Sequence, residues 1–255
     1  MFDAFKTAAE FKESCGYSFD DNWYPRVTRI VSIKAKPALY RYYGRAASFA
    51  AAQNTTEKSA QEGTLLHAAA EAILLGEEPQ VAPLIQPAIS AFREFLAKTN
   101  IRVAAGQVEM RIKSDTHRYA GTIDALAEID GRLGVLDIKT SSAVYRDYNL
   151  QTAAYMEALK DLHLRLETRW ILRIDQHRVC ERCGAILRVK GGQPTIRKAG
   201  HFLCHPREHA WQDLEGAVEL HEFPVWQGDF EAFLGAKRLW EWENEGWLQK
   251  IGYLS

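Results

Sequence analysis

The chain has 255 residues, 47% hydrophobic and 25% charged, with a formal net charge of −1. This is globular composition with enough apolar residues for a sizeable core, and it excludes a globally basic nucleic-acid binder. No run approaches the ~18 apolar residues of a membrane span, and MFDAFKTAAEFKES lacks the basic and apolar regions of a secretory signal. A cytoplasmic protein with no membrane partner is therefore expected.

Charge is distributed unevenly. Asn22 to Thr56 carries six Lys/Arg and no Asp/Glu, Arg169 to Trp211 carries nine against three, and Gln212 to Ser255 carries three against nine. Two basic regions and an acidic tail suit local steering of a polyanion.

In chain order, Phe2 to Ser14 has the spacing of a short amphipathic helix. A polar, aromatic loop follows, and RVTRIVSI after Pro25 reads as strand or helix. Residues 37–52 read as a helix with a proline start. This region interleaves Trp23, Tyr24, Tyr40, Tyr42 and Tyr43 with Arg26, Arg29, Lys34, Lys36, Arg41 and Arg45. Basic side chains neutralise phosphates and aromatic rings stack on bases, so the mixture suits a nucleic-acid groove. Gln53 to Glu62 reads as a polar break. Gly63-Thr64 then starts a helix that ends near Gly76, with His67 and Glu71 on one face. Pro83 to Lys98 reads as another helix, and Val103 to Lys113 contains a strand bearing Glu109.

Gly121 to Thr140 reads as two strands joined by Asp130-Gly131, a strong signal for a two-residue hairpin turn. Opposed residues then have numbers summing to 261, which sets Asp124 across from Asp137 with Lys139 on the same face. Directly opposed β-carbons lie about 4.5–5.5 Å apart, where like charges destabilise the pair. A bound divalent cation with Lys139 beside it is the economical way to offset that repulsion. Both faces of the hairpin are otherwise apolar, so the sheet is expected to be covered on both sides. Glu71 and Glu109 are supplementary ligand candidates or partners of nearby arginines.

Leu150 to Leu162 reads as a helix carrying Gln151 and Tyr155 on one face, followed by a strand at Thr168–Ile174. Its hairpin partner, Val218–Phe223, is expected only after an intervening insertion. Within that insertion Cys180 and Cys183 form a C-x2-C knuckle, and two strand-like runs around Gly191-Gly192 lead to Cys204 and His209. Two knuckles joined by a hairpin are the sequence form of a structural zinc site. His209, His205 and His201 compete as the fourth ligand. His209 is preferred because its spacing from Cys204 leaves room for a turn through Pro206. Arg178, Arg182, Arg188, Lys190, Arg197, Lys198 and Arg207 make the module basic. Gly228 to Lys250 reads as a Trp-rich helical stretch.

The ordered set of Gly121-Thr122-Ile123-Asp124, Asp137-Ile138-Lys139 and Gln151-x3-Tyr155, with His67 upstream on a helix, resembles the PD-(D/E)XK nucleases. Within them it is similar to the RecB-like branch, which includes lambda-type and CRISPR-associated exonucleases. Phage-encoded members are similar in layout from VTRIVSIKAKPAL through GTLLHAAAEA to LQTAAYMEAL, and the resemblance spans about residues 25–175 and 218–250. The D-x-K tripeptide alone is common; four motifs in this order are specific. Ile123 stands where the family pattern has proline.

Around the zinc-binding hairpin that the cysteine spacing sets at 176–214, the resemblance implies an α/β (α+β) restriction-endonuclease-like core at 1–175 and 215–255, with a central mixed sheet flanked by helices. It implies a Mg²⁺- or Mn²⁺-dependent DNA nuclease, most simply an exonuclease in recombination, repair or phage DNA processing. Asp124, Asp137 and Lys139 would be catalytic. His67, Asp124, Asp137 and Ile138 would form the metal set. Lys139 would orient or help deprotonate the attacking water and steady the transition state. Gln151 and Tyr155 would position DNA. A nitrogen ligand would tilt preference toward Mn²⁺. Some relatives hold an iron–sulfur cluster, and Cys15 with Cys180, Cys183 and Cys204 has that count. The long Cys183–Cys204 gap and the spare histidines favour zinc. The partners implied are DNA and recombination or phage replication proteins, in a bacterial or phage-infected cell. The alternatives are an endonuclease with the same site, an idle nucleic-acid-binding scaffold, and an interaction subunit of a recombination complex.

Overall fold

The computed structural model describes residues 5–160, 165–197, 204–205 and 208–254, and at residues 38, 41, 45 and 105 the backbone alone. The expected helix start at Phe2, the helix end at Leu162, and His201, Lys198 and Arg207 lie outside these residues.

Helix α1 (Ala8–Cys15) begins after Thr7, whose hydroxyl accepts from the Glu10 amide. The segment expected as a loop is a hairpin, β1 (Gly16–Phe19) and β2 (Asn22–Pro25). Its aromatic residues explain the difference, because Trp23 and Tyr24 are core residues rather than a loop surface. After Pro25 the chain is helical, in α2 (Val27–Val31), which buries Val27, Ile30 and Val31. The single helix expected over 37–52 is two, α3 (Pro37–Arg45) and α4 (Phe49–Leu74), with Ser48 capping the second through its hydroxyl.

The polar break expected at Gln53–Glu62 does not exist. Helix α4 runs through it for 26 residues. Thr55 and Thr56 return their hydroxyls to the carbonyls of Ala51 and Ala52, and most side chains there face solvent. Gly63 lies mid-helix, where glycine costs about 1 kcal/mol relative to alanine. The helix passes so close to the end of a strand there that a Cβ would stand 2.9 Å from Thr140 Oγ1.

A 3-10 turn (Pro83–Ile85) leads into α5 (Gln86–Lys98), as the proline start suggests. The central sheet follows: β3 (Ile101–Ser114), β4 (Tyr119–Ile129), β5 (Arg132–Lys139), then α6 (Asp147–Leu159), β6 (Thr168–Val179), β7 (Ile186–Lys190), β8 (Gln193–Arg197) and β9 (Glu215–Glu222). The seven strands run in the order β3-β4-β5-β6-β7-β8, with β9 also paired to β6. β5 and β6 are parallel, joined through α6, and the other pairs are antiparallel. The Asp130-Gly131 turn has φ of 52° and 80°, both positive as its type requires, and Ala125 pairs with Leu136 in the expected register.

Helices cover both faces of the sheet. One core gathers Phe11, Ile30, Leu126, Val135, Phe233 and Trp240 beneath α1, α2, α6, α7 (Gln227–Glu243) and α8 (Glu245–Lys250). The other gathers Leu66, Phe92, Ala127, Leu136, Trp170 and Leu172 beneath α4 and α5. The fold is therefore α+β with a central mixed sheet between helical layers. The insertion is not a detached unit, since β7 pairs with the overhanging end of β6 at Arg178–Leu187 and Val179–Ile186. Among the described residues no helix is long and apolar enough to cross a membrane.

Candidate active site

The β4–β5 ladder stops at Ala125–Leu136, one residue short of the two aspartates. Beyond it the Asp124 carboxylate takes over the bonding, accepting from the Ile138 amide at 2.6 Å. On the other side of β4, Val108 pairs with Ala125 and Met110 with Ile123, which brings Glu109 level with Asp124. Glu109 has φ 52°, a left-handed point in β3 across which the register runs on unshifted, and it shares a cleft with Glu71 of α4.

Helix α4 supplies His67. Its Nε2 lies 3.0 Å from Asp124 Oδ2, and its Nδ1 lies 2.8 Å from Glu71 Oε1 one turn along. Ligand atoms of His67, Glu71 and Asp124 all lie within 4.8 Å of one another. Asp137 is fully buried and stands apart from that trio. Its Oδ1 accepts from Gln151 Nε2 at 3.0 Å, and its Oδ2 lies 2.5 Å from Lys139 Nζ. Asp137 Oδ2 is therefore a buried oxygen held by the Lys139 ion pair alone. Buried polar atoms are normally satisfied, so an oxygen held by an ion pair alone has a lone pair that an oxygen-seeking cation could use.

The charges at the site are pushed apart. Burial works against ionised Asp124, but the bond from His67 and the charge of Lys139 outweigh it and hold its carboxyl below the usual range. Burial raises Asp137, with Lys139 opposing and Asp124 adding to the rise. Burial likewise opposes a charged His67, yet the bonds to Asp124 and Glu71 hold its pKa up at about 10. Glu109 is raised to about 7, first by burial and then by its hydrogen bond to Glu71. Lys139 is kept an ammonium by Asp137 and Asp124 against its burial. That charge state suits electrostatic stabilisation of a growing negative charge.

His67, Glu71, Glu109, Ile138, Lys139 and Thr140 line one open cleft of ≈ 500 Å³. Gln151 and Tyr155 stand together on α6, with Gln151 Nε2 also reaching the tyrosine Oη at 2.9 Å. Tyr155, expected to position DNA, is only 1% exposed. It is linked to Asp137 through Gln151 and offers no surface to a strand. Trp23 and Tyr24 leave the expected groove for the same reason, while Tyr40 stays 64% exposed.

At the insertion, ligand atoms of Cys180, Cys183, Cys204 and His209 lie within 4.8 Å of one another. Cys180 and Cys204 sulfurs are 3.9 Å apart, and Cys183 Sγ is 3.5 Å from His209 Nδ1. Tetrahedral ligation, with Zn–S of about 2.3 Å and Zn–N of about 2.0–2.1 Å, separates ligand atoms by about 3.5–3.8 Å. The donor set therefore fits a zinc-sized ion. His209 stacks on Trp211 at 4.5 Å, whereas His205 is exposed and outside the group. Cys15 is packed in the core under α1, so the four cysteines do not assemble into one cluster.

Comparison with known proteins adds no family: no protein-family model matches the chain, and no curated protein does. Glu71, a supplementary-ligand candidate by its i,i+4 spacing, stands beside His67. Two contributors escaped the sequence reading for want of a signal. Lys190 and Arg188, which reach the end of β5 from the insertion, carried none, because their contact depends on how a hairpin 50 residues away folds back.

Proposed function

We propose that this chain is a divalent-metal-dependent deoxyribonuclease of the PD-(D/E)XK type, in its RecB-like, lambda-exonuclease-like branch. The observation that carries the reading is Asp137: a fully buried carboxylate whose Oδ2 is held by the Lys139 ammonium alone, at 2.5 Å, beside the His67–Asp124 pair. Burying ions costs several kcal/mol each even when they are paired, so a constellation of this kind is retained for chemistry more readily than for stability.

Asp124, Asp137 and His67 would hold Mg²⁺ or Mn²⁺. Ile138 would contribute only its carbonyl oxygen, because its amide is donated to Asp124. A bound divalent ion supplies Lewis acidity and counter-charge for the phosphate. The chain's own residues do the rest. Glu71 orients the His67 ring from behind, as carboxylates do for metal-ligating histidines. Gln151 fixes the rotation of Asp137. Lys139 places a positive charge where negative charge grows as water attacks phosphorus and the P–O bond to the leaving strand breaks. Exposed Lys36, Tyr40 and Arg197 suit contacts to a DNA backbone and its bases. Zinc at Cys180, Cys183, Cys204 and His209 would be structural, since four protein ligands leave no open position.

Action on DNA ends, in recombination, repair or phage DNA processing, is the mode preferred here. The test is incubation with end-labelled linear DNA and covalently closed circular DNA, each with Mn²⁺ or EDTA. Loss of linear DNA alone, dependent on Mn²⁺, is expected. Nicking of the circle would make it an endonuclease, and binding without cleavage would make it a scaffold.

A further inference from the structure

The inserted hairpin folds back onto the candidate site. β7 and β8 turn through Gly191-Gly192, with φ of 59° and 76°. The turn lies against the polar half of α4. The Gly191 amide donates to Glu62 Oε1 at 3.0 Å, and a Cβ at Gly191 would collide with Ser59 Oγ and the Thr55 carbonyl. That contact explains why α4 stays helical where its sequence has no apolar stripe.

Two cations of β7 then converge on one main-chain carbonyl. Arg188 Nη2 donates to Thr140 O at 2.9 Å. Lys190 Nζ donates to Thr140 Oγ1 at 2.9 Å and also to Thr140 O. Thr140 is the residue after Lys139. Arg188 is fixed by Asp175, which accepts from its Nε at 2.7 and 2.8 Å. Arg173, level with Lys139 in the β5–β6 ladder, binds the same Asp175 and donates to Ser141 O at 3.2 Å. Lys190 differs from both arginines, because its bonds go to Thr140 rather than to a carboxylate. Burial and the neighbouring Arg188 charge press its pKa down to about 8, a strain an ordinary surface lysine does not bear.

The root of this hairpin is the cysteine–histidine group. Cys180 donates its amide to Ala185 O at 2.8 Å, Gly184 donates to Cys180 O at 2.8 Å, and Val179 pairs with Ile186 where β7 leaves β6.

We propose that Lys190, with Arg188, is a positioning residue for Lys139: the inserted hairpin latches the Thr140 carbonyl, fixing where β5 ends and where the Lys139 ammonium stands. The nuclease centre then depends on the knuckle at the hairpin's root. The catalytic consequence rests on the nuclease reading, whereas the latch is a structural claim of its own.

The experiment compares wild type, Lys190→Met, Lys190→Arg and Cys183→Ser by amide hydrogen exchange, thermal unfolding, Mn²⁺ affinity and DNA turnover. In Lys190→Met, exchange should rise several-fold in a peptide covering 138–145, with β6, β9 and the melting temperature little changed. Its kcat should fall about 10-fold or more, since small misplacements of a reacting group are costly, with KM and Mn²⁺ affinity nearly unchanged. Lys190→Arg should restore most of the protection. Cys183→Ser should loosen the same peptide, and if that variant fails to fold, Lys190→Met still decides. Unchanged exchange at 138–145 in Lys190→Met overturns the latch, whatever the activity. A uniform loss of protection and melting temperature also overturns it, in favour of a merely structural lysine. Local loosening in a protein whose wild type leaves DNA intact would uphold the latch and overturn the nuclease reading.

Discussion

Gln151 on α6 donates its amide to Asp137 Oδ1 at 3.0 Å, tying the crossover helix to the strand it follows. The bond uses one oxygen of a fully buried carboxylate and leaves the other to Lys139. Gln151→Ala removes that restraint without opening the core, since the side chain is only partly buried. DNA turnover should fall about 10- to 100-fold, the usual cost of losing a group that orients a ligand. Steady-state kinetics beside an unchanged circular dichroism spectrum would check it, and full turnover would deny Gln151 its role.

Glu71 stands behind His67 as Asp124 stands before it. Glu71→Ala should weaken Mn²⁺ binding about 10- to 100-fold, and His67→Ala should weaken it further and shift preference toward Mg²⁺. Titration calorimetry with both ions measures this directly. Equal Mn²⁺ affinity in wild type and His67→Ala would remove the histidine from the metal set.

The cysteine group should hold about one tightly bound zinc per chain, released by strong chelators with loss of the hairpin. His209→Ala should lose that zinc, whereas His205→Ala should keep it, because His209 and not His205 groups with the three sulfurs. Elemental analysis of the three purified proteins settles the pairing. Iron with a visible absorbance band would replace zinc by a cluster.

Acid stability has a defined contributor in Glu219. Its two bonds from Arg173, at 3.0 and 2.6 Å, lower its pKa from 4.5 to about 2, against a smaller effect of burial. A carboxyl depressed in the folded state stabilises above its unfolded value. That contribution is therefore present above about pH 4.5 and is lost as pH falls toward 2. Urea midpoints of wild type and Glu219→Gln should differ near neutrality and converge in strong acid. A constant difference across that window would contradict the assignment.

Much of the fold was legible because its signals are local. The Asp130-Gly131 turn fixes the β4–β5 register from two residues, and Pro37, Pro83 and Gly76 mark helix ends through their own backbone preferences. The candidate site was legible as residues but not as geometry. Register sets Asp124 opposite Asp137, yet the ladder ends before them and each carboxylate turns to a different partner. What stayed hidden depends on distant chain. The Gln53–Glu62 segment is helical although it packs on the Gly191 turn of a distant hairpin rather than through an apolar stripe of its own. Arg169 reads as a basic residue of a strand, but it is fully buried. It bonds the carbonyls of Asn149, Phe223 and Val225 and pairs with Asp229, all supplied by other elements.

The central claim is that Asp124, Asp137 and Lys139 hydrolyse DNA with a divalent ion. The most direct measurement is release of acid-soluble nucleotide from uniformly labelled linear duplex in Mn²⁺, by wild type, Asp124→Asn, Asp137→Asn and Lys139→Met purified alike. The wild type should release nucleotide and stop on chelation. Each aspartate variant should fall to background while keeping the wild-type melting curve. Lys139→Met should lose about 10²–10³-fold in rate. Undiminished release by either aspartate variant, or none by a folded, Mn²⁺-loaded wild type, would contradict the account.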